Sequence, residues 1–131
     1  MIGVDTNILV RLIVQDEPSQ FKKALRLIQE VEVGKEQLFI NDVVLAELSW
    51  VLSATYEYSK EEIAGVLERM VSNPSIVLRN PDLVVLAIRS FRSSSADFSD
   101  CLLNSLNQAQ GCETTYTFDK KASKLPGMKL A

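Results

Sequence analysis

The chain has 131 residues, 47% of them hydrophobic and 24% charged, with a net charge of −3 and no histidine. That length predicts one domain with a real core, residues 1–131. The missing histidine excludes imidazole acid–base chemistry, serine triads and zinc–histidine sites, and the acidic balance gives no basic patch for bulk electrostatic binding of nucleic acid.

The opening Ile2-Gly3-Val4-Asp5-Thr6-Asn7 is an apolar run ending in an acid, followed at once by a helical pattern. It predicts a buried strand handing over to a helix, with Asp5 in the crevice beyond the strand ends, where open parallel sheets bind ligands. Ile8 to Val14 forms a short apolar helix carrying Arg11. Asp16-Glu17-Pro18 breaks it, with Pro18 suited to the first turn of a second helix. Phe21, Ala24, Leu25, Ile28 and Val31 recur there at helical spacing, and Gly34 closes the element. Leu38-Phe39-Ile40 is a brief strand. Asn41-Asp42 caps a helix reaching about Tyr56, its buried face made by Val44, Leu45, Leu48, Val51 and Leu52. Glu47 lies about 40° from Val51 on a helical wheel, at the border of that face.

Ser59-Lys60-Glu61-Glu62 has the form of a capping box, and Ile63, Val66, Leu67, Met70 and Val71 supply the core stripe behind it. Asn73-Pro74 stops this helix and Ile76-Val77-Leu78 is a strand. Asn80-Pro81 caps the helix from Leu83 to Phe91. A further helix runs from Ala96 to Gln110, stopped by Gly111. Phe98, Leu102, Leu106 and Ala109 share one of its faces; Asp97, Asp100 and Asn104 share another, within about 60°. Thr114 to Thr117 is β-prone, Asp119 can cap a short helix from Lys120 to Leu125, and Met128-Lys129-Leu130 is a candidate last edge strand. Alternating strands and helices predict an α/β fold around a parallel sheet.

Cys101 and Cys112 fall at opposite ends of one predicted helix, about 16 Å apart and too far to bridge. Unpaired thiols suit a reducing cytosol. The first residues lack a basic leader segment, and no apolar run approaches the roughly 20 residues of a membrane span. The expectation is a cytoplasmic protein with no membrane partner.

Four acids stand in suggestive places: Asp5 and Asp119 at strand ends, Glu47 and Asp100 on helices that pack on such a sheet. Brought together without a cation they would repel one another. Hard divalent cations take oxygen ligands, and Mg²⁺ uses a few carboxylates plus waters. Such an ion can activate water and stabilise a phosphate under attack, chemistry that needs no histidine. Each acid also has a plain structural account. Asp5, Asp97 and Asp119 could be helix caps, Glu47 a solvated or salt-bridged helix acid, and Asp100 with Asn104 a polar helix face. Lys120, Lys121 and Lys124 could be solvated charge or could meet phosphates beside an acidic site. Trp50 fits core or interface packing better than base stacking.

Val4-Asp5-Thr6-Asn7-Ile8-Leu9, Glu47 within Val44-Leu45-Ala46-Glu47-Leu48, Ala96-Asp97-Phe98-Ser99-Asp100 and Thr117-Phe118-Asp119 resemble the four acidic blocks of PIN-domain ribonucleases. Their order and approximate spacing agree over essentially the whole chain, most closely with VapC-type toxins of toxin–antitoxin pairs. The resemblance implies a PIN-like fold of four to five parallel strands flanked by helices on both faces. It implies a catalytic set of Asp5, Glu47, Asp100 and Asp119, with Asp97 beside them at the metal. Thr6, Asn7 and Thr117 would hold those carboxylates by hydrogen bonding. It also implies Mg²⁺- or Mn²⁺-dependent endoribonuclease activity, an RNA substrate, a small antitoxin partner and a homodimer. Arg11, Lys22, Lys23, Lys120 and Lys121 are candidates to meet RNA at the groove mouth.

Three other readings compete. A non-catalytic PIN-like RNA-binding or scaffold module would keep the fold but lose an acid, and the set is complete. A Mg²⁺-dependent aspartyl phosphotransfer domain also places Asp at a strand end. In the haloacid-dehalogenase form it wants an acid where Asn7 stands, and in the receiver form an acid pair that Asp5 lacks. A flap-type DNA nuclease would be separated by substrate.

Overall fold

The computed structural model describes residues 1–131. Strands β1 (Ile2–Gly3), β2 (Leu38–Ile40) and β3 (Ile76–Leu78) form one parallel sheet in that order, with Ile2 opposite Leu38 and Leu38 opposite Ile76. Strands β4 (Thr115–Thr117) and β5 (Met128–Leu130) pair parallel in a separate ladder. All five predicted strands exist and are parallel, but β1, expected to be buried, is exposed at both Ile2 and Gly3, and the strands divide into sheets of three and two rather than one sheet of four or five. Each strand is only two or three residues long.

Six helices surround them: α1 (Thr6–Val14), α2 (Pro18–Val33), α3 (Asp42–Ala54), α4 (Lys60–Ser72), α5 (Pro81–Ser93) and α6 (Phe98–Ala109). Their starts follow local chemistry. Asn41 accepts from the Val43 amide and Glu17 from the Ser19 and Gln20 amides, satisfying donors that a first turn leaves free. The capping box at Ser59 is complete, its hydroxyl taking the Glu62 amide while the Glu62 carboxylate takes the Ser59 amide. Asn80 precedes Pro81 as expected but makes no side-chain cap bond, because its backbone is turned away from the extended geometry of a cap.

Helix α1 packs on α2 and α3, α3 on α4 and α6, and α5 on α4 and α6. Ile40, Leu45, Leu48, Leu52, Leu67, Val84, Phe98 and Cys101 fill the centre, each almost wholly shielded from solvent. Leu25, predicted for the core stripe of α2, is exposed, and Leu27 takes its place against the core. Cys101 is buried, Cys112 exposed, and both are free thiols. No helix is long and apolar enough to cross a membrane.

Candidate active site

Asp5 and Asp119 occupy equivalent stations. Each lies two residues beyond the end of its strand, β1 or β4. Asp5 Oδ1 accepts from the Thr6 amide at 2.7 Å, and Asp119 Oδ1 accepts from the Ala122 amide at 2.8 Å, ahead of a 3₁₀ turn at Ala122–Lys124. The capping account of both residues is therefore real. It uses one oxygen of each carboxylate and leaves acceptor capacity over, since an ionised carboxylate has about four lone-pair sites.

Thr6 is buried, and its hydroxyl donates to Glu47 Oε2 at 2.7 Å across 41 residues of sequence. That bond ties the start of α1, where Asp5 sits, to the second turn of α3. Thr117 touches the other acid differently: its Oγ1 accepts from the Asp119 backbone amide at 3.0 Å and does not bond the carboxylate. Asn7 does not join them. It is exposed and lines a separate cavity with Arg11, Gln20 and Lys23.

At α6, Asp97 holds the N-cap position with no side-chain cap bond, so its exposed carboxylate is not spent on the helix. Asp100, one turn into α6, is half-buried. Its carboxyl is pushed above the ordinary carboxylate value, first by burial, then by the negative charge of Asp119 and of Asp97. Three acids from two parts of the chain thus share one field, and none of the five site acids is paired with a lysine or arginine.

Glu47 and Asp97 line neighbouring clefts that share Trp50 and Ser99. A cleft of about 410 Å³ is lined by Ala46, Glu47, Trp50, Val51 and Ser99, and a smaller one by Trp50, Asp97, Phe98 and Ser99 among others. Trp50 is 63% exposed, so it is not a core residue; it stands between the two clefts. Asn104, predicted to share a polar face with Asp97 and Asp100, is instead buried and donates to the Pro126 carbonyl at 2.9 Å. The turn at Pro126-Gly127 folds back over α6, a contact that wheel geometry cannot contain.

One residue that positions the site carries no signal in the sequence. Lys60 sends its ammonium to the carbonyls of Phe91 at 2.6 Å and Ser94 at 2.8 Å, with Ala96 farther off at 3.5 Å. It also lies 4.2 Å from the centroid of the Phe91 ring, which meets Phe98 edge to face at 5.9 Å. This cation fixes the segment joining α5 to α6, and hence where Asp97 and Asp100 emerge. Arg11 is committed elsewhere, to Gln20, Asp16 and Tyr56.

The donor set suits a hard divalent cation, being oxygen-only and uncompensated by any base. No three acidic or thiol groups converge closely enough to enclose an ion alone. Mg²⁺ does not require that, since it ordinarily takes one or two carboxylates and completes its octahedron with water.

A VapC ribonuclease of Aquifex aeolicus (strain VF5) is 22% identical to this chain over 122 residues, 93% of this chain and 90% of that protein. No solved structure gives a significant match. The PIN domain family pattern matches residues 2–128, from the first strand into the last. With that match across nearly its full length, the chain belongs to the PIN domain family.

Proposed function

We propose that this chain, acting as one PIN domain over residues 1–131, is a Mg²⁺- or Mn²⁺-dependent endoribonuclease and the toxin of a toxin–antitoxin pair. The observation that supports the reading is two sets of carboxylates without basic partners: Glu47 tied to the Asp5 segment through Thr6, and Asp100 raised by burial and by Asp119 and Asp97. Like charges held in one field without a neutralising side chain repel one another, and a bound cation would relieve them. The similarity to a VapC ribonuclease supports the choice of RNA as substrate and of a small antitoxin as partner. A homodimer working in the cytoplasm completes the reading.

Asp5, Glu47, Asp100 and Asp119 would hold the ion, with Asp97 beside Asp100. When bound, it supplies positive charge to the phosphate under attack and makes water a better nucleophile near neutral pH. The chain's own contribution is placement. Thr6 fixes the orientation of Glu47, Thr117 fixes the segment bearing Asp119, and Lys60 fixes the start of α6. Lys120 and Lys121, exposed directly after Asp119, would meet the phosphates of a bound strand, and Arg11 lines a cavity one helical turn from Asn7.

Cleavage of total tRNA and rRNA tests this, run with Mg²⁺, with Mn²⁺ and with EDTA, beside Asp5→Asn. Discrete fragments that need the metal and vanish in the variant are expected. A folded protein that neither binds Mn²⁺ nor cleaves RNA would overturn the assignment.

A further inference from the structure

The net charge of the chain is −3, yet from Thr114 onward it carries four lysines, Lys120, Lys121, Lys124 and Lys129, against a single acid, Asp119. All four are exposed. None is paired with a carboxylate, for the ion pairs lie elsewhere, at Arg11–Asp16, at Arg92 with Glu61 and Glu68, and at the amino terminus with Glu36. The same segment turns two aromatic side chains to solvent, Tyr116 at 68% and Phe118 at 86% exposure. In the β4–β5 ladder Tyr116 stands opposite Lys129, while Thr115 and Thr117 on either side are half-buried. Phe118 follows two residues on, immediately before Asp119.

Solvent-exposed aromatic rings cost free energy in water and packing does not explain these two. The acids beside them repel a phosphodiester chain, so affinity must come from groups flanking the acids. Rings on which unpaired bases stack, set among cations that follow the backbone, are how proteins hold single strands.

We propose that Tyr116 and Phe118, with Lys120, Lys121 and Lys129, form a binding strip for single-stranded RNA that leads an unpaired segment to the acids at Asp119. The inference rests on the ribonuclease reading above and adds to it the surface that holds the substrate. Stacking selects an unpaired strand over a duplex, whose bases already stack on one another.

Fluorescence anisotropy with a labelled single-stranded oligouridylate, in EDTA so that binding is read without cleavage, tests the strip. Phe118→Ala and Phe118→Leu should each weaken binding about tenfold, and Phe118→Trp should keep it. Lys120→Ala and Lys129→Ala should each reduce the slope of log affinity against log salt by about 0.7. Val33→Ala, altering an apolar side chain on α2 that is 84% exposed, should change nothing. Wild-type affinity and slope in all the strip variants, or no binding by the parent, would overturn the proposal. So would a Phe118→Ala effect confined to self-association, which would make the strip a protein contact. Cleavage by the parent separates the two ideas. Cleavage untouched by Phe118→Ala sinks the strip alone, and strip-dependent binding with no metal-dependent cleavage sinks the nuclease alone.

Discussion

The hydroxyl of Thr6 donates to Glu47 Oε2 at 2.7 Å, joining the residue after the first acid to the second acid. Thr6 is 4% exposed while Glu47 is open to solvent, so the bond runs from a rigid interior donor to a carboxylate that would otherwise sample several rotamers. Removing the donor with Thr6→Val keeps the shape and frees Glu47. The expected cost is about 1–2 kcal/mol of stability, since the bond involves a charged acceptor. Cleavage should fall by roughly 10- to 100-fold, the usual loss when a group supporting a metal-site carboxylate is removed. Urea unfolding and single-turnover cleavage measure both, and Thr6→Ser should restore both. Unchanged cleavage in Thr6→Val would show that Glu47 needs no such support.

Asp100 invites an exchange between stability and function. Its carboxyl is raised by burial and by Asp119 and Asp97, so its charged form is strained in the folded protein. Asp100→Asn removes the repulsion, and metal-free Tm should rise by roughly 1–3 °C. Added Mn²⁺ should stabilise the wild type by linkage and the variant much less, while cleavage is lost. A variant that melts lower than the wild type in EDTA would mean that Asp100 serves a structural bond.

The positions of the candidate acids were legible where chain patterning marks them. Asp5 and Asp119 follow strands and cap the turns that come next, so strand-to-helix punctuation marked their positions, while the resemblance to the acidic blocks is what grouped them as a candidate site. Glu47 was visible at the border of the apolar face of α3. The sequence was silent wherever the contact was distant. Asn104 reads as one more polar residue on the Asp100 face, and only the return of Pro126 over α6 makes it an interior donor. Lys60 stands in the sequence only as a member of the capping-box string, although its ammonium closes the carbonyls at the end of α5. The division into two sheets was equally invisible, because strand pairing depends on partners and not on the strand's own pattern.

Lys60→Met tests the clamp, since it keeps the aliphatic stem and removes the charge. Two carbonyls lose a short bond and the Phe91 ring loses its cation. A destabilisation of about 2–3 kcal/mol is expected. Amide hydrogen exchange should quicken in Ser94 to Asp100 before it does elsewhere, because this segment is what the ammonium holds. Cleavage should fall even where the variant remains folded. Uniform exchange with undiminished cleavage would show that the clamp supports the fold alone.

Glu62 sets a pH dependence of its own. Its carboxyl is held below the ordinary value of 4.5, first by the Ser59 amide and then by the Ser59 hydroxyl. As pH falls, the unfolded chain takes up this proton before the folded one does. The stability it contributes is therefore complete above the ordinary value and drains away as pH drops through the lowered, folded value. Glu62→Gln has no such proton to take up. The wild type should melt above the variant at pH 7, and the two melting temperatures should approach one another as pH falls below 4.5. Calorimetry of both proteins across that range reads the gap directly. A gap that stays constant down to pH 3 would mean that the box holds α4 through the Ser59 hydroxyl and the Glu62 amide alone, without help from the carboxylate charge.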